Sequence, residues 1–255
     1  MNREKAINQM LVVYAFLVVM LVSALVLAPR AYALDPTELE PAEGLEPGTI
    51  EIEQEVQYQE TDDYQAESET SIEYELTEHS ALKLTIPVEK EEGEDTEVEA
   101  GLRYKYVFNP NAERAPIVAA SVEALVPIEG DGDCVDGEAG LYVSKALGGD
   151  DSKHQLHLNL LGHYENDAEA GERDMRYKAI AGYGYQATPK TSLVADVVRE
   201  QLEDSGENAN IVEFGVKHEF NDTFAASLGV GAGIGEESPD FTARAGFSLK
   251  FGSKR

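Results

Sequence analysis

His157, Asn159, His163 and Glu165 recur at even spacing, so on an extended strand they share one face. Two imidazoles, an amide and a carboxylate are groups from which a metal site or an acid–base pair can be built. The rest of the chain supplies no serine in a matching motif and no third group that would hold such a base. The simpler reading, polar lining of a wet interior, is preferred, and neither an enzyme, a cofactor nor a resident metal is expected. A second group, Asp131-Gly132-Asp133 with Asp136-Gly137-Glu138, offers the oxygen ligands that hard cations prefer, but its spacing is not that of an EF-hand loop.

These residues need a scaffold, and the sequence patterning indicates which. In the last run, Phe241, Ala243, Ala245, Phe247, Leu249 and Phe251 alternate with Thr242, Arg244, Gly246, Ser248 and Lys250. One face suits lipid and the other suits water. The same alternation begins at Thr49–Glu60, where Ile50, Ile52, Val56 and Tyr58 oppose Glu51, Glu53 and Glu55, with Gln54 as the one interruption. In the second run, Ile72, Tyr74 and Leu76 oppose Glu67, Glu69 and Glu73. Further runs are expected near 82–88, 98–108, 116–128, 135–147, 154–165, 174–187, 191–201, 210–220 and 223–234. The expectation is an all-β, antiparallel up-and-down transmembrane barrel of about 12 strands, an even number as single-chain bacterial barrels require. The runs near 116–128 and 135–147 are the weakest, because Ile117 and Leu125 interrupt the polar side of one and the other has few outward apolar residues.

In this register Glu51, Glu53, Glu55, Glu67, Glu69, Glu73, Lys83, Arg103, Lys105, Arg176, Lys178, Lys217, Arg244 and Lys250 face the lumen. Opposite charges can pair there, since an uncompensated charge away from water costs several kcal/mol. Ala225, Ser227, Gly229, Gly231 and Gly233 line one inner face with small residues, leaving room for long neighbouring side chains or for a solute. Tyr58, Tyr74, Tyr106, Phe108, Tyr185, Phe220, Phe224 and Phe251 are assigned to aromatic girdles at the two membrane interfaces. A soluble β-sandwich also alternates, but it does not account for the terminal strand or for the paired girdles. Closure of the barrel places the last strand beside Thr49–Glu60, with Arg244 and Lys250 next to Glu51, Glu53 and Glu55.

The ends and the composition fit this scaffold. Residues 1–33 combine a basic start, an apolar run from Met10 to Leu27 and the small-residue site Ala31-Tyr32-Ala33, which reads as a cleaved signal peptide. A retained membrane helix is the alternative. Residues 34–48, with Pro36, Pro41 and Pro47 and several carboxylates, read as a flexible periplasmic lead-in. Residues 49–251 form the barrel and 252–255 a short extension. With 20 Lys and Arg against 49 Asp and Glu, the formal charge is -29, which excludes nucleic acid as a plausible partner. The lone Cys134 leaves no internal disulfide. Tight turns at 77–80, 188–190 and 221–222 fall where periplasmic turns belong if both termini are periplasmic. The opposite rim would carry Glu91, Glu92, Glu94, Asp95, Glu203, Asp204, Glu236, Glu237 and Asp240. That rim suits divalent cations bridging to lipopolysaccharide, and it fits adaptation to salt equally well.

The run Glu75-Leu76-Thr77-Glu78-His79-Ser80-Ala81-Leu82-Lys83-Leu84, the Pro87 closing the third strand and the terminal aromatic strand resemble the small outer-membrane barrels grouped as transporters of the meta-pathway of phenol degradation. The resemblance implies a cell outer-membrane location, contact with outer-membrane lipid, and recognition of the C-terminal strand by the barrel-assembly machinery. It also implies a channel or transporter for small molecules through a narrow charged lumen. The alternative is a closed structural or surface-interaction barrel without transport.

Overall fold

The computed structural model describes residues 36–61, 64–93, 95–112, 115–129, 135–148, 152–166, 168, 171–203, 206–235 and 237–252. The signal peptide expected over 1–33, Glu94, Asp131 to Cys134, Asp204, Glu236 and residues 253–255 of the extension lie outside the described residues.

Twelve strands form one closed antiparallel barrel. They are β1 (Ile50–Glu60), β2 (Tyr64–Thr77), β3 (Ser80–Glu91), β4 (Thr96–Val107), β5 (Ile117–Glu129), β6 (Asp136–Ala146), β7 (His154–Tyr164), β8 (Met175–Thr188), β9 (Thr191–Gln201), β10 (Asn208–Glu219), β11 (Phe224–Gly233) and β12 (Phe241–Phe251). Each strand pairs with its chain neighbours, and β12 returns to β1. Closure leaves no strand edge unpaired, which is the condition for a sheet in hydrocarbon.

Period-two patterning explains which face goes where. Ile52, Ile72, Leu84 and Leu102 form one cross-strand row on the outside. Leu102, Val122, Phe214 and Leu228 are 57%, 60%, 52% and 61% exposed. Apolar surface this open on so many strands is costly against water and favourable against lipid. Gln54, the one polar residue in the outer row of β1, has local partners. Its amide donates to Ser68 Oγ at 3.0 Å and accepts from Thr70 Oγ1 at 2.7 Å.

The two weakest runs are strands, and their apolar inner residues have a purpose. Ile117 packs against Val107, Ala119 and Tyr142 inside the barrel, while Leu125 reaches over Gly101, where a Cβ would come within 3.0 Å of it. Ile117 interrupts the alternation because it packs on the cluster that holds Ala42 inside the barrel.

Among the girdle residues, Tyr58, Tyr74, Tyr106, Phe108, Phe220 and Phe251 are exposed. Tyr185 is half-buried and stacks on His154 with ring centroids 5.1 Å apart. Phe224 packs beneath its aromatic neighbours. It is only 2% exposed and lies beneath Phe220 and Phe247, at centroid distances of 5.2 and 6.4 Å. It packs as a foundation for the outer aromatics, and Phe220 presents the surface.

Candidate functional site

The lumen of the barrel is occupied by the chain's own segment from Pro36 to Gly48. The stretch expected to be a flexible lead-in lies, over its described residues, against the inner wall of the barrel. Pro36, Thr37, Leu39 and Ala42 are all buried. A Pro-rich, acidic peptide has too little apolar surface to fold alone, but here it enters a preformed cavity lined by complementary groups.

Three kinds of contact hold it. The first is steric: glycines on the inner wall leave room for it. A side chain at Gly215 or Gly229 would collide with Pro36, and one at Gly182 would collide with Leu39. The small-residue face of β11 is therefore filled at Gly229 by the Pro36 backbone. The second is apolar. Leu39 completes a buried cluster with Ile180, Val194, Val198 and Ile211, all from β8, β9 and β10, and Ala42 joins Val107, Ala119 and Tyr142 on the opposite wall. Burial of Leu39 contributes about 1.5–3 kcal/mol.

The third kind is ionic and polar. Glu38 sits 2.7 Å from Lys178 Nζ and 3.5 Å from the Arg244 guanidinium, and its backbone N–H donates to Glu213 Oε2 at 3.0 Å. Glu40 accepts from Lys105 at 2.8 Å and from Arg103 at 3.0 Å. Lys105 donates a second bond to the Pro41 carbonyl at 2.8 Å, and Asn159 Nδ2 donates to the Glu40 carbonyl at 2.8 Å. Farther along, the Ala42 N–H donates to Ser144 Oγ at 2.8 Å and the Leu45 N–H to Glu75 Oε2 at 3.1 Å. Burial alone would raise the Glu40 carboxyl, but Lys105, Arg103 and Lys83 outweigh it and hold it down at about 2. For Glu38, burial is likewise overcome by Lys178 and Arg244, so it too is lowered.

The charges assigned to the lumen from sequence are placed as follows. Lys83 bridges Glu53 and Glu69 at 3.2 and 3.7 Å. Arg103 is held on the wall by Glu123 at 2.6 Å and Glu138 at 3.1 Å. Arg176 meets Glu165 and Glu203 at 2.9 and 2.6 Å near the loop end, and Lys178 pairs with Glu200 at 2.8 Å as well as with Glu38. Arg244 engages Glu55 and donates to Gln57 Oε1 at 2.7 Å. Lys250 lies 3.6 Å from Glu51 on the β1–β12 seam, where the two residues are in register. Lys217 registers between Ser192 and Ser227 on the inner faces of β9 and β11. Glu67 and Glu73 occupy the inner-face parity of β2 and are half-buried.

Glu138, offered by sequence as a cation ligand, joins this network through Arg103, and Glu38, Glu40, Glu123 and Glu200 complete it and are absent from the residues singled out by sequence. The cations on β8 and β12, strands that carry no carboxylate of their own, were the available signal for Glu38. The cations hydrogen-bonded to these segment carboxylates lie far away in the chain, 63 positions for Arg103 with Glu40 and 140 for Lys178 with Glu38. No local pattern reports contacts of that range.

The histidine face is divided by the structure. His157 Nδ1 lies 2.8 Å from Ser144 Oγ, a serine–histidine contact created by the β6–β7 register. Ser144 is 1% exposed and already accepts the Ala42 N–H, so the contact anchors the lumen segment. Asn159 anchors Glu40, while His163 lies beside Arg176 in a cavity of about 220 Å³ toward the loop end. Among the described residues, no group of three His, Cys, Asp or Glu side chains is disposed to hold a metal ion.

No protein-family model matches the chain, and no curated protein matches it. Its fold is that of outer-membrane channel barrels. The COG4313 outer membrane channel from Pseudomonas putida F1 superposes with a TM-score of 0.65 at 17% identity, covering 86% of this chain and 100% of that one. The KdgM porin gives 0.58 at 9% identity, covering 80% and 99%. The toluene transporter TodX of P. putida gives 0.51 at 9% identity, covering 83% and 91%.

Proposed function

We propose that this chain is an outer-membrane channel for small molecules whose lumen is closed at rest by its own segment 36–48, with both termini periplasmic. The observation that carries the reading is the manner of attachment. Residues 38–45 are held by side chains, through Glu38, Glu40, Asn159, Ser144 and Glu75, and the backbone bond to a strand lies at the end of the segment, from the Gly48 N–H to the Glu75 carbonyl at 2.8 Å. A segment tethered in this way can leave without unpairing a barrel strand. Its departure would uncover Lys105, Arg103, Lys178 and Arg244, a wall of fixed charge of the kind that gives pores their selectivity.

The fold shared with channel barrels and the residue 75–84 run both support this reading, and the latter supports a place among the transporters of the meta-pathway of phenol degradation. A second reading, a permanently closed structural barrel, is favoured by the ion-paired filling itself. Planar-bilayer recordings separate the two. The refolded full chain should show rare openings, and a chain whose residues 36–45 are replaced by a Gly/Ser sequence should conduct steadily. A replaced chain that is folded and remains silent would leave the closed barrel as the surviving reading.

A further inference from the structure

Asp196, on the inner face of β9, is a carboxylate outside the ion pairs described above. It is 3% exposed, and neither of its oxygens has a hydrogen-bond partner. A charge buried in this way is costly unless a counter-charge meets it. Glu213, also buried, stands directly opposite on β10, and residues so paired carry their Cβ atoms about 4.5–5.5 Å apart. From the lumen segment, Thr37 is a near neighbour of Asp196. Thr37 too is 3% exposed, and its hydroxyl makes no hydrogen bond of good geometry.

The nearest cations are committed elsewhere. Arg244 and Lys178 lie within electrostatic reach of the pair, but Arg244 engages Glu55 and Glu38 and donates to Gln57, while Lys178 bridges Glu38 and Glu200. Around those two cations stand Glu38, Glu55, Glu200, Asp196 and Glu213, so a surplus of negative charge remains. The Glu38 N–H orients Glu213 by donating to its Oε2 at 3.0 Å. Beyond Glu213 the inner row continues through Gly231 to Thr242, whose buried hydroxyl is also without a partner. A side chain at Gly231 would collide with that hydroxyl and with the Glu213 side chain, so glycine keeps the space between them open.

Two carboxylates beside hydroxyls make a donor set of hard oxygens, with no imidazole or thiolate. Calcium accepts such mixed oxygen ligands in flexible geometry, whereas magnesium demands a near-ideal octahedron and keeps its waters. We infer that Asp196 and Glu213, with the Thr37 hydroxyl, form a site for one calcium ion inside the barrel. The site needs two carboxylates, and it is therefore compatible with the absence, among the described residues, of a metal-holding group of three His, Cys, Asp or Glu side chains. Because Thr37 belongs to the segment, the ion ties the start of the segment to the β9–β10 wall, and it can do so in a barrel that never conducts.

Equilibrium dialysis of calcium-45 against the chain refolded in detergent should reveal one tight site per chain, resolved from weak binding to exposed carboxylates and retained in a tenfold excess of magnesium. Asp196→Asn and Glu213→Gln should each weaken it at least tenfold. Thr37→Val, outside the barrel strands, should weaken it about threefold or more, and Glu92→Gln, at an exposed carboxylate beyond β3, should leave it unchanged. Heat-modifiable migration establishes that each variant is folded. Calcium should also slow proteolysis within 36–48 in the wild-type chain and fail to do so in Asp196→Asn. Absence of a tight site in the folded wild-type chain would overturn the inference, as would its displacement by magnesium or its persistence unaltered in the folded variants at positions 37, 196 and 213. A barrel that never conducts yet binds calcium in this way would refute the channel reading and leave the site standing.

Discussion

Lys178 Nζ stands 2.7 Å from Glu38 Oε2, a bond between the inner wall of β8 and the segment that fills the barrel. The Glu38 side chain is almost wholly buried, so removing its charge strands Lys178 and Arg244 inside the lumen. Losing one partner of a buried pair typically costs about 3–5 kcal/mol, although Glu200 and Glu55 offset part of that here. Glu38→Gln is therefore expected to leave the barrel folded and loosen the segment. Bilayer recordings should show a rise in open probability of tenfold or more over the wild-type chain.

The glycines beneath the segment allow a steric version of the same test. A side chain at Gly182 overlaps Leu39, and one at Gly229 overlaps the Pro36 backbone. Gly182→Val and Gly229→Val should each expel the segment without disturbing an outer-face residue. Limited proteolysis of the refolded protein should then cleave within 36–48 at least tenfold faster, while heat-modifiable migration of the barrel persists.

Acidification should undock the segment in a definite window. The Glu40 carboxyl is held at about 2, down from an ordinary 4.5, because Lys105, Arg103 and Lys83 outweigh its burial. A carboxyl lowered in the docked state contributes its full stabilisation above about 4.5 and loses it as pH falls toward 2. Glu38 is lowered too and acts in the same direction. Channel openings recorded between pH 5 and pH 3 should become more frequent below about 4.5. Glu40→Gln should flatten that rise.

The outer face makes a separate prediction about solvent. Leu102 sits within β4 on the exposed apolar row. Leu102→Arg should lower folding stability in lipid vesicles by about 2–4 kcal/mol, the cost of a cation near the bilayer midplane. Urea titration of the folded fraction measures it, and a change below about 0.5 kcal/mol would mean that this row faces water.

The closing seam can be tested by charge exchange. Glu51 and Lys250 are in register across β1 and β12, 3.6 Å apart and both buried. Glu51→Lys or Lys250→Glu alone should destabilise the barrel by about 3 kcal/mol. Their combination should recover at least half of the loss in the same urea titration, because the pair is restored with its polarity reversed.

Much of this architecture is local in origin. Phe241 to Phe251 alternate without exception in the structure as in the sequence, and a period-two pattern on each run determines both the strand and which side of the sheet meets lipid. The even strand number, the inward charges and the Glu51–Lys250 neighbourhood follow once such a sheet closes. An inner apolar residue such as Ile117 breaks that pattern, because its partner is neither lipid nor water. Phe224 has outward parity yet is covered by Phe220 and Phe247, because parity gives direction and says nothing of what lies on top.

The path of residues 36–48 was decided by the tertiary structure alone. Read in isolation, the segment has prolines, carboxylates and no period, the signature of a peptide that cannot repay its own ordering entropy. Its order is supplied by cations on β4, β8 and β12, by the absent side chains of Gly182, Gly215 and Gly229, and by the apolar floor beneath Leu39, all far away in the chain. Those groups converge only when the barrel has closed, so the cavity that makes the segment fold does not exist until the rest of the protein has formed.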